Sequence, residues 1–110
     1  MPTFVLLTRM SETAASTPRR LETMEKEMMH HIRAECPTVE WVNNLAVLGP
    51  YDYLDIFEAP DVETAAKVAA LVRTYGHSHT EVWSAVEWER YKELVRQLPD
   101  HELITSVAGE

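Results

Sequence analysis

The feature that most constrains the fold is the order in which strand-like and helix-like segments follow one another along the chain. Short runs of β-branched and apolar residues predict strands, and apolar residues that recur every three or four positions predict helices. Thr17-Pro18 and Pro60-Asp61 stand at predicted helix starts, with Asp61 as the predicted N-cap of the second helix, and Gly49-Pro50 separates two predicted strands. The predicted elements are strand 3–9, helix 18–36, strands 39–48 and 51–59, helix 61–76, strand 78–86 and helix 88–98.

This order is β-α-β-β-α-β with one added helix, which predicts an α+β fold of the ferredoxin-like type. Two right-handed crossovers would place helices 18–36 and 61–76 on one face of a four-stranded antiparallel sheet, in strand order 4-1-3-2. A length of 110 residues suits a single domain. We place that domain at residues 1–98, including the C-terminal helix, and expect 99–110 to be a tail that is either a short strand or disordered.

Charge, cysteine content and hydropathy limit the classes of partner and the cellular location that we expect for this chain. Ten Lys and Arg against eighteen Asp and Glu give a formal charge of −8, and no basic cluster exceeds Arg19-Arg20. Phosphate binding needs clustered cations, so we expect neither nucleic acid nor a membrane surface as a partner. The single cysteine, the lack of a secretory leader and the lack of an apolar span of about 20 residues predict a cytoplasmic protein.

The sheet face turned away from the two crossover helices is the main question for function. Alternation along the strands favours placing the smaller aliphatic side chains, such as Leu54, Ile56 and Val82, on the helix side. The second face would then carry aromatic residues with polar residues between them: Trp41, Tyr53, Phe57 and Trp83, with Asn43, Asp55, His79 and Glu81.

Four exposed aromatic side chains would form a larger apolar patch than soluble monomers usually show. A second copy of the same sheet is the simplest cover, which predicts a homodimer or a higher homo-oligomer. The alternative is that helix 88–98 or the tail folds over this face within one subunit.

The stretch LGPYDYLDIFEAPD at 48–61 resembles the GYD domain family, which takes its name from a glycine, a tyrosine and an aspartate at this place. The opening stretch at 3–8 and the later Thr80-Glu81-Val82 are similar to other recurrent stretches of that family, and the resemblance covers roughly residues 2–90. It implies a ferredoxin-like fold of the dimeric α/β-barrel type and brings no established activity.

Gly49, Tyr51 and Asp52 carry the family signature. Glycine permits a tight turn between two strands, and an adjacent aspartate can accept hydrogen bonds from turn amides. We therefore interpret these three residues as a structural signature in preference to a catalytic one.

Two groups of residues could carry chemistry. His77, His79 and Glu81 alternate along one strand and could bind a divalent transition metal, although three ligands on one strand rarely converge without help. Asp55 with His79 could act as a general base and its orienting partner, and Arg9 on the strand between them could hold an anionic substrate.

These residues leave three hypotheses open. The first is a small-molecule-binding protein or an enzyme, with Asp55 and His79 as catalytic candidates and a ligand pocket on the second sheet face; its ligand-binding candidates are Arg9, Trp41, Asn43, Tyr53, Glu81 and Trp83. The second is a non-catalytic assembly or sensing module that binds itself, and the third is a metal-binding protein. No phosphate loop or dinucleotide fingerprint identifies a cofactor, which stays unknown.

Overall fold

A computed structural model describes residues 1–11, 20–76 and 78–99 of the chain. Its elements are strand β1 (Thr3–Met10), helix α1 (Leu21–Glu35), strand β2 (Glu40–Ala46), strand β3 (Tyr53–Glu58), helix α2 (Val62–Gly76), strand β4 (Ser78–Ala85) and helix α3 (Trp88–Arg96). The predicted α+β architecture is confirmed. The predicted start of the first helix at Thr17-Pro18 and the tail over 100–110 lie outside the described residues, so the proposed domain limits stay a prediction.

The four strands form one antiparallel sheet in the order β2-β3-β1-β4, as the sequence predicts. β1 lies in the centre, where Leu6 pairs with Asp55 of β3 and with Val82 of β4. Since directly paired residues point to the same side of a sheet, this pairing fixes which side chains share a face. Among the described helices, none is both long enough and apolar enough to cross a bilayer.

Helix α2 begins at an aspartate cap and packs closely on the sheet. The Asp61 carboxylate accepts hydrogen bonds from the backbone N–H and the hydroxyl of Thr64, at 2.7 Å each, which confirms the predicted N-cap. The buried face of α2 consists of small side chains: Ala65, Val68, Ala69 and Val72.

The core lies between the sheet and the two crossover helices. Phe57 is 0% exposed, and its ring lies 5.6 Å from that of Phe4 and 5.3 Å from that of Trp41. Small side chains on α2 leave room above the sheet, and these aromatic rings fill it. Close packing at the density of a protein interior therefore requires the large side chains of β3 on the helix side.

The predicted orientation of β3 is wrong for this reason. Phe57 pairs with the buried Phe4, so Tyr53, Asp55 and Phe57 face the helices, and Leu54 and Ile56 face the opposite side. The strand is apolar at both parities, so the sequence pattern did not decide between them.

The predicted orientation of Trp41 is also wrong, because β2 contains an irregularity. Trp41 pairs with Phe57 but Asn43 pairs with Ile56, so the register shifts by one residue between them. A bulge of this kind turns Trp41 towards the core and leaves Asn43 on the other face, although the two residues are two apart in sequence.

Helix α1 is attached mainly through its C-terminal half. Ile32 is its buried residue, and the ring of His31 stacks on that of Tyr75 in α2 with centroids 3.7 Å apart. Leu21, at the other end, is 37% exposed. The N-terminal half of α1 therefore stands away from the sheet and leaves space beneath it.

Candidate functional site

The space beneath α1 is a cavity of about 400 Å³ between that helix and the sheet. Its floor includes Leu6, Trp41 and Asp55, and its roof includes Met24 and Glu25 of α1. A volume of this size lies at the lower end of the range of small-molecule sites, which is roughly 300–1,000 Å³. This cavity lies on the side of the sheet opposite to the one on which the sequence predicted a ligand pocket, because β3 is oriented the other way.

Two carboxyl groups dominate the electrostatics of this cavity. Burial, together with the negative charge of Glu25, raises the pKa of Asp55 from its ordinary value of 3.8 to about 6. Burial and the neighbouring carboxylates of Asp52, Glu25 and Asp55 likewise raise the pKa of Tyr53. Both pKa values rise mainly because burial disfavours the charged form of each group, and the neighbouring carboxylates add to the effect.

Of the predicted signature residues, Asp52 ties the start of β3 to β1, next to Met10 and Tyr53 of the cavity wall. The Asp52 carboxylate accepts a hydrogen bond from the backbone N–H of Met10 at 2.8 Å, and the Asp52 N–H donates to the Thr8 carbonyl at 2.9 Å. The Tyr53 hydroxyl donates to the sulfur of Met10 at 3.2 Å. Asp52 therefore bonds an amide of the neighbouring strand, where the sequence suggested an amide of its own turn.

Gly49 has a backbone φ of +155°, which side-chain-bearing residues rarely adopt. No other atom lies within 4 Å of the position that a β-carbon would take. The need for glycine here is therefore conformational and does not come from crowding. Tyr51 is half-buried beside this turn.

The other side of the sheet, which we call the open sheet face, consists of residues that share the orientation of Val5: Val5, Leu7, Arg9, Glu40, Asn43, Leu45, Leu54, Ile56, Glu58, His79, Glu81 and Trp83. Trp83 is 52% exposed and its indole N–H donates to the Glu81 carboxylate at 3.3 Å. Helices α1 and α2 lie on the far side of the sheet, and α3 has no buried residue. Leu7 at the centre of this face is 5% exposed, whereas Leu45 and Trp83 are 44% and 52% exposed, so the described residues leave its outer part uncovered.

The structure separates the predicted catalytic pair. Asp55 pairs with Leu6, and His79 pairs with Arg9, three residues further along β1. An odd separation along a strand puts the two side chains on opposite faces. Asp55 therefore lies in the cavity, and His79 lies with Arg9 on the open sheet face.

The predicted ligand-binding residues divide in the same way. Trp41 and Tyr53 line the cavity, whereas Arg9, Asn43, Glu81 and Trp83 lie on the open sheet face. Of the predicted metal ligands, His79 and Glu81 share the open sheet face, and His77 lies outside the described residues. Among the residues that the structure describes, no cluster of three His, Cys, Asp or Glu side chains could hold a metal ion.

Helix α3 carries an exposed apolar surface that the sequence analysis did not identify as a candidate binding site. Its apolar residues recur at helical spacing and are largely exposed: Trp88, Tyr91, Leu94, Val95 and, just beyond the helix, Leu98. We call this set the α3 stripe. On the polar side, ion pairs at 3.0 Å join Arg90 to Glu93 and Lys92 to Glu89.

An amphipathic helix normally buries its apolar stripe. The pattern is visible in the sequence, where it suggested cover for the sheet, but α3 does not fold back onto the core. Glu25 and the methionines of α1 were also not recognised as site residues. Their helical spacing is typical of ordinary core packing, and the gap beneath α1 gives no signal in the sequence.

A model of the GYD domain family matches residues 4–95 of this chain. The chain is also similar to a protein of Thermus thermophilus named "glutamine synthetase and cystathionine beta-lyase binding protein". The two are 30% identical over 90 residues, which cover 78% of this chain and 90% of that protein. No solved structure matches the chain significantly. The family match extends from β1 into α3, so it spans both the cavity and the open sheet face.

Proposed function

Since this chain belongs to the GYD domain family, we propose that it works as a homo-oligomeric binding module that engages other proteins. One observation carries the proposal: in the described part of a single copy, two apolar surfaces are exposed, the outer part of the open sheet face around Leu45 and Trp83, and the α3 stripe. Contiguous exposed apolar surfaces of soluble proteins usually mark interaction sites. The name of the Thermus relative, which is that of a binding protein for two enzymes, supports the same class of function.

We assign the open sheet face to a second copy of the chain, because its charges are self-complementary. Arg9 and His79 lie at one end of the face, with Glu81 at the next position inward, and Glu40 and Glu58 lie at the other end, around an apolar centre. A two-fold axis across the centre brings the basic end of one copy against the acidic end of its twin. Such an isologous contact pairs the charges twice and covers both apolar centres.

A charge exchange tests this assignment. Arg9→Glu places like charges against each other at both ends and should shift the mass measured by light scattering from a dimer towards a monomer. Glu58→Arg should do the same, and the double variant should restore the dimer, because it reverses both partners. Glu63→Arg, on the surface of α2, changes the net charge as much as Glu58→Arg and serves as the control. Equal masses for all variants would exclude the charge pairing.

We assign the α3 stripe to a different protein. A helix that presents apolar residues at positions i, i+3 and i+7 is a common way to fill a groove in a partner, and Trp88, Tyr91 and Val95 have this spacing. The rings of Trp88 and Tyr91 stack with centroids 5.7 Å apart, so they form one aromatic anchor. Aromatic anchors of this type often dominate the binding energy of an interface.

The partners to test first are the glutamine synthetase and the cystathionine beta-lyase of the source organism, on the strength of the relative's name. Each purified enzyme is immobilised and the intact chain is passed over it. Wild type should bind at least one of the two. Trp88→Ala/Tyr91→Ala should weaken that binding at least about 30-fold, the factor for losing roughly 2 kcal/mol at a central anchor.

The matched control for this experiment is Glu89→Ala/Glu93→Ala, which breaks both ion pairs on the polar side of the same helix. Exposed ion pairs contribute little, so this control should bind within about threefold of wild type. If the aromatic double variant becomes monomeric, the stripe packs on the twin and its assignment to another protein is wrong. Binding by neither enzyme, or equal binding by wild type and the aromatic variant, would also contradict the assignment.

A further inference from the structure

The cavity beneath α1 is independent of both proposed interfaces. It lies on the helix side of the sheet, whereas the open sheet face lies on the other side; Leu45 of the edge strand β2 is the one residue of that face that also lines the cavity, and none of the described α3 residues contributes to its wall. Occupation of this cavity and association through the sheet are therefore separable events.

The apolar part of the cavity wall is adaptable. Methionines from α1 and β1, including Met10, Met24 and Met28, contribute to it together with Trp41. Unbranched thioether side chains adjust to ligands of different shape, and an indole ring offers a flat apolar surface that also attracts cations. This wall suits an apolar group such as a small aromatic ring.

Within the part of the chain that the structure describes, the polar part of the wall carries two carboxylates that form no ion pair. Asp55 and Glu25 both line the cavity, and neither forms an ion pair or a hydrogen bond with any other described residue. Arg33 lines the same cavity, but it is eight residues from Glu25 on α1, which is about 12 Å along the helix axis. The two carboxylates therefore share one end of the cavity without a neutralising partner.

We propose that this cavity binds a small apolar molecule that carries a protonated amine, with the ammonium group between Asp55 and Glu25 and the apolar group among the methionines and Trp41. An ammonium group satisfies both carboxylates with charge-assisted hydrogen bonds. An anionic ligand meets repulsion at the same place, and a neutral alcohol leaves the two charges uncompensated.

The probe for this site is 2-phenylethylammonium, compared with the neutral 2-phenylethanol and the anionic phenylacetate by calorimetric titration of the intact chain at pH 7.5. The ammonium compound should bind with a Kd below about 1 mM, a free energy near −4 kcal/mol. The alcohol and the anion should each bind at least about tenfold more weakly.

Variants locate the binding. Asp55→Asn and Glu25→Gln should each weaken ammonium binding about tenfold or more, while binding of the alcohol stays within about threefold of the wild-type value. The matched controls are Glu63→Gln, on the surface of α2 and away from the cavity, and Glu27→Gln, on the exposed side of α1. Both should bind the ammonium compound as wild type does. Circular dichroism confirms that each variant is folded.

The affinity should also depend on pH. The charged or titratable groups of the described residues that face Asp55 are Glu25 and Arg33 from α1 and Tyr53 with Asp52 from its own side, whereas β1, β2 and α2 present only uncharged residues. Binding should weaken as the pH falls below about 6, where Asp55 becomes protonated.

Three results would overturn the proposal: equal affinity for the ammonium compound and the alcohol, unchanged affinity in Asp55→Asn and Glu25→Gln, or no heat of binding up to about 10 mM. None of them would affect the proposed binding of other proteins, because that test uses different variants and a different surface.

Discussion

Truncation of Phe57 tests the orientation of β3, on which the placement of both sites depends. Phe57 is 0% exposed and packs between the rings of Phe4 and Trp41. Replacement of a buried phenylalanine by alanine removes its transfer free energy and leaves a cavity, at a cost of about 3–5 kcal/mol. We expect Phe57→Ala to lower the free energy of unfolding by this amount.

The assay is urea unfolding followed by circular dichroism at two protein concentrations. With a slope of about 2 kcal/mol per molar urea, a loss of 4 kcal/mol lowers the midpoint by about 2 M. Ile56→Ala, one residue away on the open sheet face, is the control. It should lower the midpoint less, and its effect should shrink on dilution to concentrations at which wild type is monomeric, because Ile56 then has no twin to contact.

The assigned orientation of β3 fails if Phe57→Ala lowers the free energy of unfolding by less than about 1 kcal/mol and Ile56→Ala lowers it by more, since that outcome puts Ile56 in the core. It also fails if Phe57→Ala produces a folded monomer, because a residue on the helix side does not contact the twin. The first outcome would restore the orientation that the sequence pattern favoured.

Three further predictions follow from contacts within one copy. Folding raises the pKa of Asp55 from 3.8 to about 6, so wild type loses stability as the pH rises through this window. Asp55→Asn removes this loss and should stabilise the protein at pH 7 by about 1–2 kcal/mol, after allowance for partial solvent screening. Thermal unfolding at pH 4 and pH 7 should show the difference at pH 7 alone. Asp52→Ala should cost about 1 kcal/mol in urea unfolding, because the Met10 N–H loses its acceptor, and Asp52→Asn should retain most of that stability. Gly49→Ala should lower the free energy of unfolding by about 1 kcal/mol, because alanine rarely adopts a φ of +155°. The near-ultraviolet circular dichroism should not change, because the space around this residue is open. An unchanged urea midpoint would show that another residue tolerates this turn.

The fold could be predicted because several local signals agree with one another. The order of elements, the Asp61 cap and the turn at Gly49 each indicate the same β-α-β-β-α-β chain path, and the strand order follows from right-handed crossovers. Such agreement between local and global signals is what allows a topology to be derived from a sequence.

The site could be predicted only in part, because its position depends on two features that each amount to a shift of one residue: the orientation of β3 and the irregularity in β2. β3 reads Tyr-Leu-Asp-Ile-Phe-Glu from 53 to 58, with apolar residues at both parities, and its orientation was settled by the space that the small residues of α2 leave above the sheet. The shift between Trp41 and Asn43 is a feature of strand pairing that simple alternation does not show. Asp55, Tyr53 and Trp41 were therefore recognised as one group but assigned to the wrong face.

The central claim is that one copy of this chain leaves apolar surface that a second copy covers, and the mass of the wild-type protein in solution tests it most directly. Sedimentation equilibrium over a range of micromolar concentrations should give about twice the chain mass of 12.6 kDa, falling towards 12.6 kDa on dilution or at high salt as the charged ends of the sheet separate. A constant mass of 12.6 kDa at every concentration would contradict the claim.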